Sequence, residues 1–452
     1  MKPEDSGKIK ELDKSYLWHP FTPMLDWLED DPLVVERGEG AWLFDTDGHR
    51  YLDGISSLWV TVHGHRHPRI DDAIREQLDR IAHSTLLGLT NVPSAVLAKR
   101  LIDIAPPGLK RVFYSDSGST AVEIAIKIAF QYWRQCRNPR PEKTRFVTFV
   151  NAYHGDTVGS VSVGGIDLFH AMYKPLLFQS FRVPSPYCYR CELGKTFPEC
   201  SLACTDRLEE ILEEHSDEVA AVICEPLVQG AAGMITAPDG HLRRVRELCD
   251  RYDVLLIADE VAVGFGRTGA MFACETQGVT PDLMVLAKGL TGGYLPLAAT
   301  LVTDRVFEAF LTRHDEHRTF YHGHTYTGNP LACAAAIANI ELFEEEKTLD
   351  RLAPRIERLS HGLEKIANLD HVGDVRQRGV MVGIEIVKNK STREPFDIEE
   401  KKGVKICRQA RRYGVILRPL GDVVVLNPPL CIDDDQVDML VEAVGNSIVD
   451  EA

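Results

Sequence analysis

Residues 254–293 constrain the fold more tightly than any other stretch of the chain. Two short apolar runs, residues 254–258 (VLLIA) and 283–287 (LMVLA), are each followed at once by one ionisable residue, Asp259 and Lys288. Apolar runs of this length between turn-formers predict buried strands of a parallel sheet, and such a sheet binds its ligands beyond the carboxyl ends of its strands. An acid and a lysine brought to that crevice are the two groups a pyridoxal phosphate site needs. The lysine takes the covalent bond to the cofactor, and the acid keeps the pyridinium nitrogen protonated so that the ring can draw electrons.

A chain of 452 residues suggests roughly two or three domains. The pattern divides it into an N-terminal arm and meander that belongs with the small domain (1–69), a helix–strand–helix region (70–330) and a smaller α+β segment (331–452). The net charge of −16 argues against nucleic acid or an anionic membrane as the main partner. No apolar run approaches the roughly 18 residues of a membrane span, and MKPEDSGKIKELDKSYLWHP lacks the apolar core of a signal peptide. With 11 Cys scattered through an enzyme-sized chain, a reducing cytoplasm is the expected setting.

Several motifs surround the central pair. Ser115-Asp116-Ser117-Gly118-Ser119-Thr120 opens a strongly helical segment, with Thr120 and Glu123 at capping-box spacing. Free N–H groups and hydroxyls at such a start suit a phosphate, and they suit a plain helix cap equally well. Tyr153 and His154 follow a strand end, where they could stack on a flat ring or serve as interface aromatics. His63, His65 and His67 alternate, but the Gly and Pro between them favour a positioning loop over a metal site. Gly264-Phe265-Gly266-Arg267-Thr268-Gly269 imitates a dinucleotide fingerprint without the strand–turn–helix context that such a fingerprint needs. Arg418, in a strand-to-turn segment, is either a surface ion-pair partner or a clamp for a carboxylate. Cys188-x-x-Cys191 and Cys200-x-x-x-Cys204 flank a short loop; they could hold a structural metal or remain free thiols on a surface insertion. No metal is assigned to the chemistry.

In order, DSGSTAVEIAIK, NAYHGDT, EPLVQGAAG, LLIADEVAVGFGRTG, AKGLTGGYLP and HGHTYTGNPLACAA resemble the class III aminotransferases of fold type I, over nearly the whole chain. The resemblance implies an α/β fold with a large domain on a mainly parallel sheet of about seven strands and a small α+β domain. It also implies pyridoxal 5'-phosphate as cofactor, small-molecule substrates, and a homodimer with shared active sites. Lys288 and Asp259 would be catalytic. Gly118, Ser119 and Tyr153 would hold the cofactor from one chain, and His324 and Thr325 its phosphate from the other. Leu58, Tyr153, Arg267, Gly323 and Arg418, with Lys288, would meet substrate, and Trp59 would lie near the pocket.

Within the family, WHPFTPM, GISSLWVTVHGH and ILRPLGD resemble the branch that aminates 8-amino-7-oxononanoate in biotin biosynthesis. The alternative is an ω-amino acid or 4-aminobutyrate transaminase. Members of the branch that take the amino group from S-adenosylmethionine carry Tyr, Trp and Tyr where this chain has Phe21, Leu58 and Val425. Replacing the Trp by Leu58 removes an aromatic attraction for a sulfonium of about 0.5–2 kcal/mol, and the chain resembles more closely the branch that uses L-lysine, which is the expected donor, with S-adenosylmethionine as the alternative.

Overall fold

The computed structural model describes residues 6–451. Its central sheet has seven strands: β1 (Leu109–Ser115), β2 (Arg145–Phe149), β3 (Phe181–Val183), β4 (Val219–Cys224), β5 (Leu255–Asp259), β6 (Leu283–Leu286) and β7 (Ala298–Thr303). They lie side by side in the order β1-β7-β6-β5-β4-β2-β3. Only β7 runs against its neighbours, so the sheet is mainly parallel, as expected.

The uninterrupted apolar runs of β5 and β6 are explained by helices on both faces. Leu255 and Ile257 pack towards helix Gly118–Gln135, whereas Leu256 and Ala258 pack towards helices Asp206–His215 and His241–Arg251. Each fully buried Leu or Ile contributes roughly 1.5–3 kcal/mol. A polar residue inside either run would therefore be costly, and the polar residues come where the strands leave the core.

Helix Gly118–Gln135 starts earlier than its sequence suggests. Its N-cap is Ser117, whose side chain accepts from the Thr120 N–H, while the Thr120 hydroxyl accepts from the Ser117 N–H. The expected box between Thr120 and Glu123 does not form. Glu123 instead accepts the Gly159 N–H at 2.7 Å, because by then the helix is already one turn long.

The N-terminal meander, Val35–Glu39, Trp42–Asp45 and Arg50–Asp53, gains a fourth, parallel strand from Val415–Ile416. A second small sheet joins Val372–Arg378, Met381–Ile386, Val423–Leu426 and Arg418–Leu420 in that order. One hydrophobic cluster combines Ala41 and Leu52 with Ile384, Val424 and Leu440, so the two ends of the chain share a core. The Ala-rich helix Pro330–Glu345 packs instead on Pro68–Leu78 and Val92–Ile104. Among the described residues, no helix is long and apolar enough to cross a membrane.

Candidate active site

β5 and β6 end side by side at the rim of a cavity of about 430 Å³. Asp259 is the last residue of β5 and is buried; Lys288 follows β6 after the extended Ala287 and opens a short 3₁₀ turn. The Lys288 backbone has φ 46°, and Trp59 on the opposite wall has φ 64°. Left-handed backbone at non-glycine residues costs energy and persists where the surroundings fix it, often at functional sites. The Lys288 Nζ stands 4.6 Å from the centroid of the Trp59 ring.

Two hydrogen bonds fix the Asp259 carboxylate. His154 Nδ1–H donates to Oδ2 at 2.7 Å, and the Val261 N–H donates to Oδ1 at 3.1 Å. Because a carboxylate only accepts, this contact assigns the His154 proton to Nδ1. The other ring nitrogen, Nε2, is buried without a partner. Burial pulls the Lys288 ammonium down to about 8, with Asp259 and Glu225 opposing. Burial also pushes Glu225 up to about 7, where His154 opposes the rise and Asp259 adds to it. Glu225 accepts the N–H of Tyr153 and that of Gly230, each at 2.9 Å, and so ties two cavity-wall loops together.

Ser117, Gly118 and Ser119 line the same cavity at the start of their helix. Their neighbour Gly155 has φ 116°, and a Cβ there would fall 1.8 Å from the Ser119 Oγ, so only glycine lets this loop close on the helix start. The Ser119 Oγ accepts the Asp156 N–H at 2.9 Å, and the Tyr153 hydroxyl donates to Asp156 at 2.7 Å. A helix N-terminus, two serines, a fixed anion and a lysine thus share one cavity, the donor set that a phosphorylated pyridine aldehyde needs. The buried His154 Nε2 beside it, unpartnered among the described residues, adds polar capacity to the site.

The other expected site residues lie elsewhere. Leu58 is 44% exposed, outside the cavity lining, although its neighbour Trp59 is part of it. Gly323, His324 and Thr325 sit on a loop away from this chain's own cavity, where the His324 N–H donates to the Thr327 Oγ1 at 3.1 Å. Arg418 is exposed and makes no side-chain hydrogen bond or ion pair among the described residues. Arg267 is held by a network that no local pattern shows. It is buried and donates to the Ser56 Oγ (3.0 Å), the Pro428 carbonyl (2.7 Å) and the Thr61 carbonyl (2.7 Å). That arrangement supports the Trp59 turn, and the Arg267 charge reaches Lys288. Burial pulls the guanidinium down to about 10.

Sequence reasoning passed over Glu225 as a strand end and saw His154 only as a stacking group. An acid directly after a buried strand was the available signal for Glu225, the same signal that revealed Asp259. The three alternating histidines do form a loop, and each ring has its own partner: the Asn339 carbonyl for His63, Asp53 for His65 and Glu346 for His67.

Comparison with known proteins gives a consistent result. The aminotransferase class-III family profile matches residues 27–448. A relative from Geobacter sulfurreducens, named adenosylmethionine-8-amino-7-oxononanoate aminotransferase, is 55% identical over 445 residues, 98% of each chain. One of the same name from Nitratidesulfovibrio vulgaris is 57% identical over 444 residues, 98% of this chain and 82% of that one. Among solved structures, the enzyme of that name from Methanocaldococcus jannaschii superposes with a TM-score of 0.93 at 45% identity, covering 99% of both chains. The ω-transaminase of Pseudomonas jessenii, solved in complex with PMP, gives 0.93 at 33% identity over 98% of both.

Proposed function

Since the chain belongs to the class III aminotransferases, which work through pyridoxal 5'-phosphate, we propose that it aminates the ketone of 8-amino-7-oxononanoate to give 7,8-diaminononanoate, a step of biotin biosynthesis. The observation that carries this reading is identity above one half over the full length to relatives named for that substrate. The fold does not discriminate, since an ω-transaminase superposes equally well; identity does, at 45% against 33%.

When bound, the cofactor supplies an aldehyde that takes up an amino group and a ring that holds the electron pair released at the substrate carbon. Lys288 is the residue to hold that aldehyde at rest and to move the proton between substrate carbon and cofactor carbon. Its lowered pKa keeps a usable share of free amine near neutral pH, as a base at this position requires. Asp259, oriented by His154, offers the anion that keeps a ring nitrogen protonated. Gly118 and Ser119, which line the cavity at the helix start, would hold the phosphate, and Tyr153 on the same lining would cover the ring and meet substrate. Arg418, an exposed guanidinium without a partner among the described residues, would pair with the substrate carboxylate.

The site completes itself in a homodimer. The segments at 82–91 and 321–329 are joined by Asn91 Nδ2 to the Gly328 carbonyl (3.1 Å) and Asn329 Nδ2 to the Ala82 carbonyl (3.2 Å). Around them Leu87, Leu89, Tyr321 and Tyr326 are exposed, an apolar surface that a second chain would cover. In that assembly His324 and Thr325 reach the phosphate of the other chain's cofactor, and Gly323 lines its substrate pocket. Chains carrying K288A mixed with chains carrying T325D test this. The mixed dimer has one of its two sites with both residues intact, so after random reassociation of equal amounts about a quarter of native activity should return. No recovery would mean that each site is built within one chain.

For the amino donor we propose L-lysine. Leu58 offers no ring and Val425 is buried opposite Arg418 in the small sheet, so two of the three aromatic surfaces for a sulfonium are gone, while Phe21 keeps a ring without the hydroxyl and packs edge-on against Phe169 at 5.4 Å. The names of the relatives point instead to S-adenosylmethionine. Mixing holoenzyme with each amine and following the cofactor absorbance decides between them. Conversion by lysine with none by S-adenosylmethionine supports the proposal, and the reverse overturns it. Conversion by 4-aminobutyrate, with no amination of 8-amino-7-oxononanoate, would move the chain to the wider ω-transaminase group.

A further inference from the structure

The connection between β3 and helix Asp206–His215 is built without helix or strand over residues 184–202. Loops of this length lacking regular structure are uncommon in packed chains and need ties of their own. One tie is polar. The Tyr187 hydroxyl donates to Glu385, and Arg190 Nε donates to the same carboxylate at 2.5 Å. Glu385 also receives Arg376, whose guanidinium holds the Gly233 carbonyl at 2.6 Å, close to cavity-lining Ala231. The loop therefore fastens the small sheet to the wall of the active site.

The second tie involves the cysteines. Cys188 and Cys191 from the first half of the loop, and Cys200 and Cys204 from the second, line one small cavity of about 20 Å³. That is room for roughly one water-sized body, enough for a single ion and too little for an iron–sulfur cluster. All four are free thiols. No three of the sulfurs lie within 4.8 Å of one another, so an ion would have to draw them inward by side-chain rotation. The one group among the described residues that meets that distance is Asp45, Asp47 and His49. There the Asp45 carboxylate already accepts from the N–H groups of Asp47 and His49 and from the Tyr51 hydroxyl, so it is an ordinary turn.

We propose that Cys188, Cys191, Cys200 and Cys204 bind one Zn2+ as a tetrahedral thiolate site that staples this loop. Two ligands from each turn, at spacings of two and three residues, suit a closed structural site with zinc–sulfur bonds of about 2.3 Å. Binding forms four such bonds and releases the four thiol protons to solvent, with no change of oxidation state.

Elemental analysis of the holoenzyme, purified without a metal-affinity step, should find about one zinc per chain. C188S and C204S should each lose most of it, and proteolytic cleavage after Arg190 or Lys195 should then accelerate about tenfold as the loop opens. If those variants do not fold, titrating native enzyme with a mercurial in the presence of a zinc-sensitive dye reads the same site, and about one zinc should appear per chain. Exchange with Co2+ should give the red-region bands of a tetrahedral thiolate, clear of the cofactor's absorption. Folded enzyme isolated without zinc would overturn the proposal. So would iron with acid-labile sulfide, or zinc retained in full after both substitutions. Activity of the loaded enzyme takes no part in these readouts, so failure here leaves the proposed reaction standing.

Discussion

Lys288 and Arg418 are both cations set at strand ends, and the fold treats them in opposite ways. Lys288 leaves a strand with buried neighbours on both sides, sits over Trp59, and is pulled down to about 8 by the burial around it. Arg418 opens the edge strand of a small sheet, exposed, with no partner among the described residues. The first has its geometry set by the core of its own chain. The second, like Thr325 on its loop, would acquire its proposed role only from what docks against it. On the proposed reading the catalytic lysine sits where packing fixes it, and the recognition groups sit at rims that substrate and a second chain would finish.

The largest expected effect is K288A, which should lower the half-reaction rate with any donor by about 10⁴-fold or more while leaving Arg418 and the fold untouched; stopped-flow absorbance reads it. A variant retaining native rates would break the contrast outright. D259N should cost about 10²–10³-fold, because it removes the fixed anion but keeps the side-chain shape, and circular dichroism should be unchanged. R418L should cost roughly 10–100-fold in kcat/KM for 8-amino-7-oxononanoate, the worth of a charge-assisted bond, with little effect on a donor lacking a carboxylate at that position. A loss equal for all substrates would make Arg418 structural.

The smallest effect is a pH dependence. Burial disfavours the Lys288 ammonium, so its pKa lies below the ordinary value, and the reactive free amine accumulates as pH rises through about 8. Capture of the aldehyde by cofactor-free enzyme should therefore quicken about tenfold between roughly pH 7 and 9 and then level off. The same shift means that the folded chain binds fewer protons than the unfolded one between about 8 and 10.5. The cofactor-free fold should thus gain stability with rising pH across that window and lose it as pH falls through 8. A rate still climbing steeply at the top of that window would show a lysine behaving as if exposed.

The catalytic half of the site was legible because core strands leave marks: VLLIA-Asp259 and LMVLA-Lys288 can hardly be anything but buried runs with a charged end. The Ser117–Ser119 turn was legible as a helix start, although its cap lies three residues before the Thr120 suggested by the Thr120–Glu123 spacing. The anchoring of Arg267 was not legible, because its acceptors come from Ser56, Thr61 and Pro428, stretches that no local pattern links to position 267. His154 was half read: its place after a strand was visible, but its bond to Asp259, across 105 positions of sequence, was not.

By itself the sequence determined the sheet, the acid–lysine pair at its rim and the family, since period, strand length and motif order are local properties of the chain. Only the tertiary structure decided that Glu225 ties two walls together and that Arg267 reaches Ser56, Thr61 and Pro428 beside the Trp59 turn. Those outcomes depend on which surfaces meet when helices close over the sheet, and no window of sequence contains both sides of such a contact.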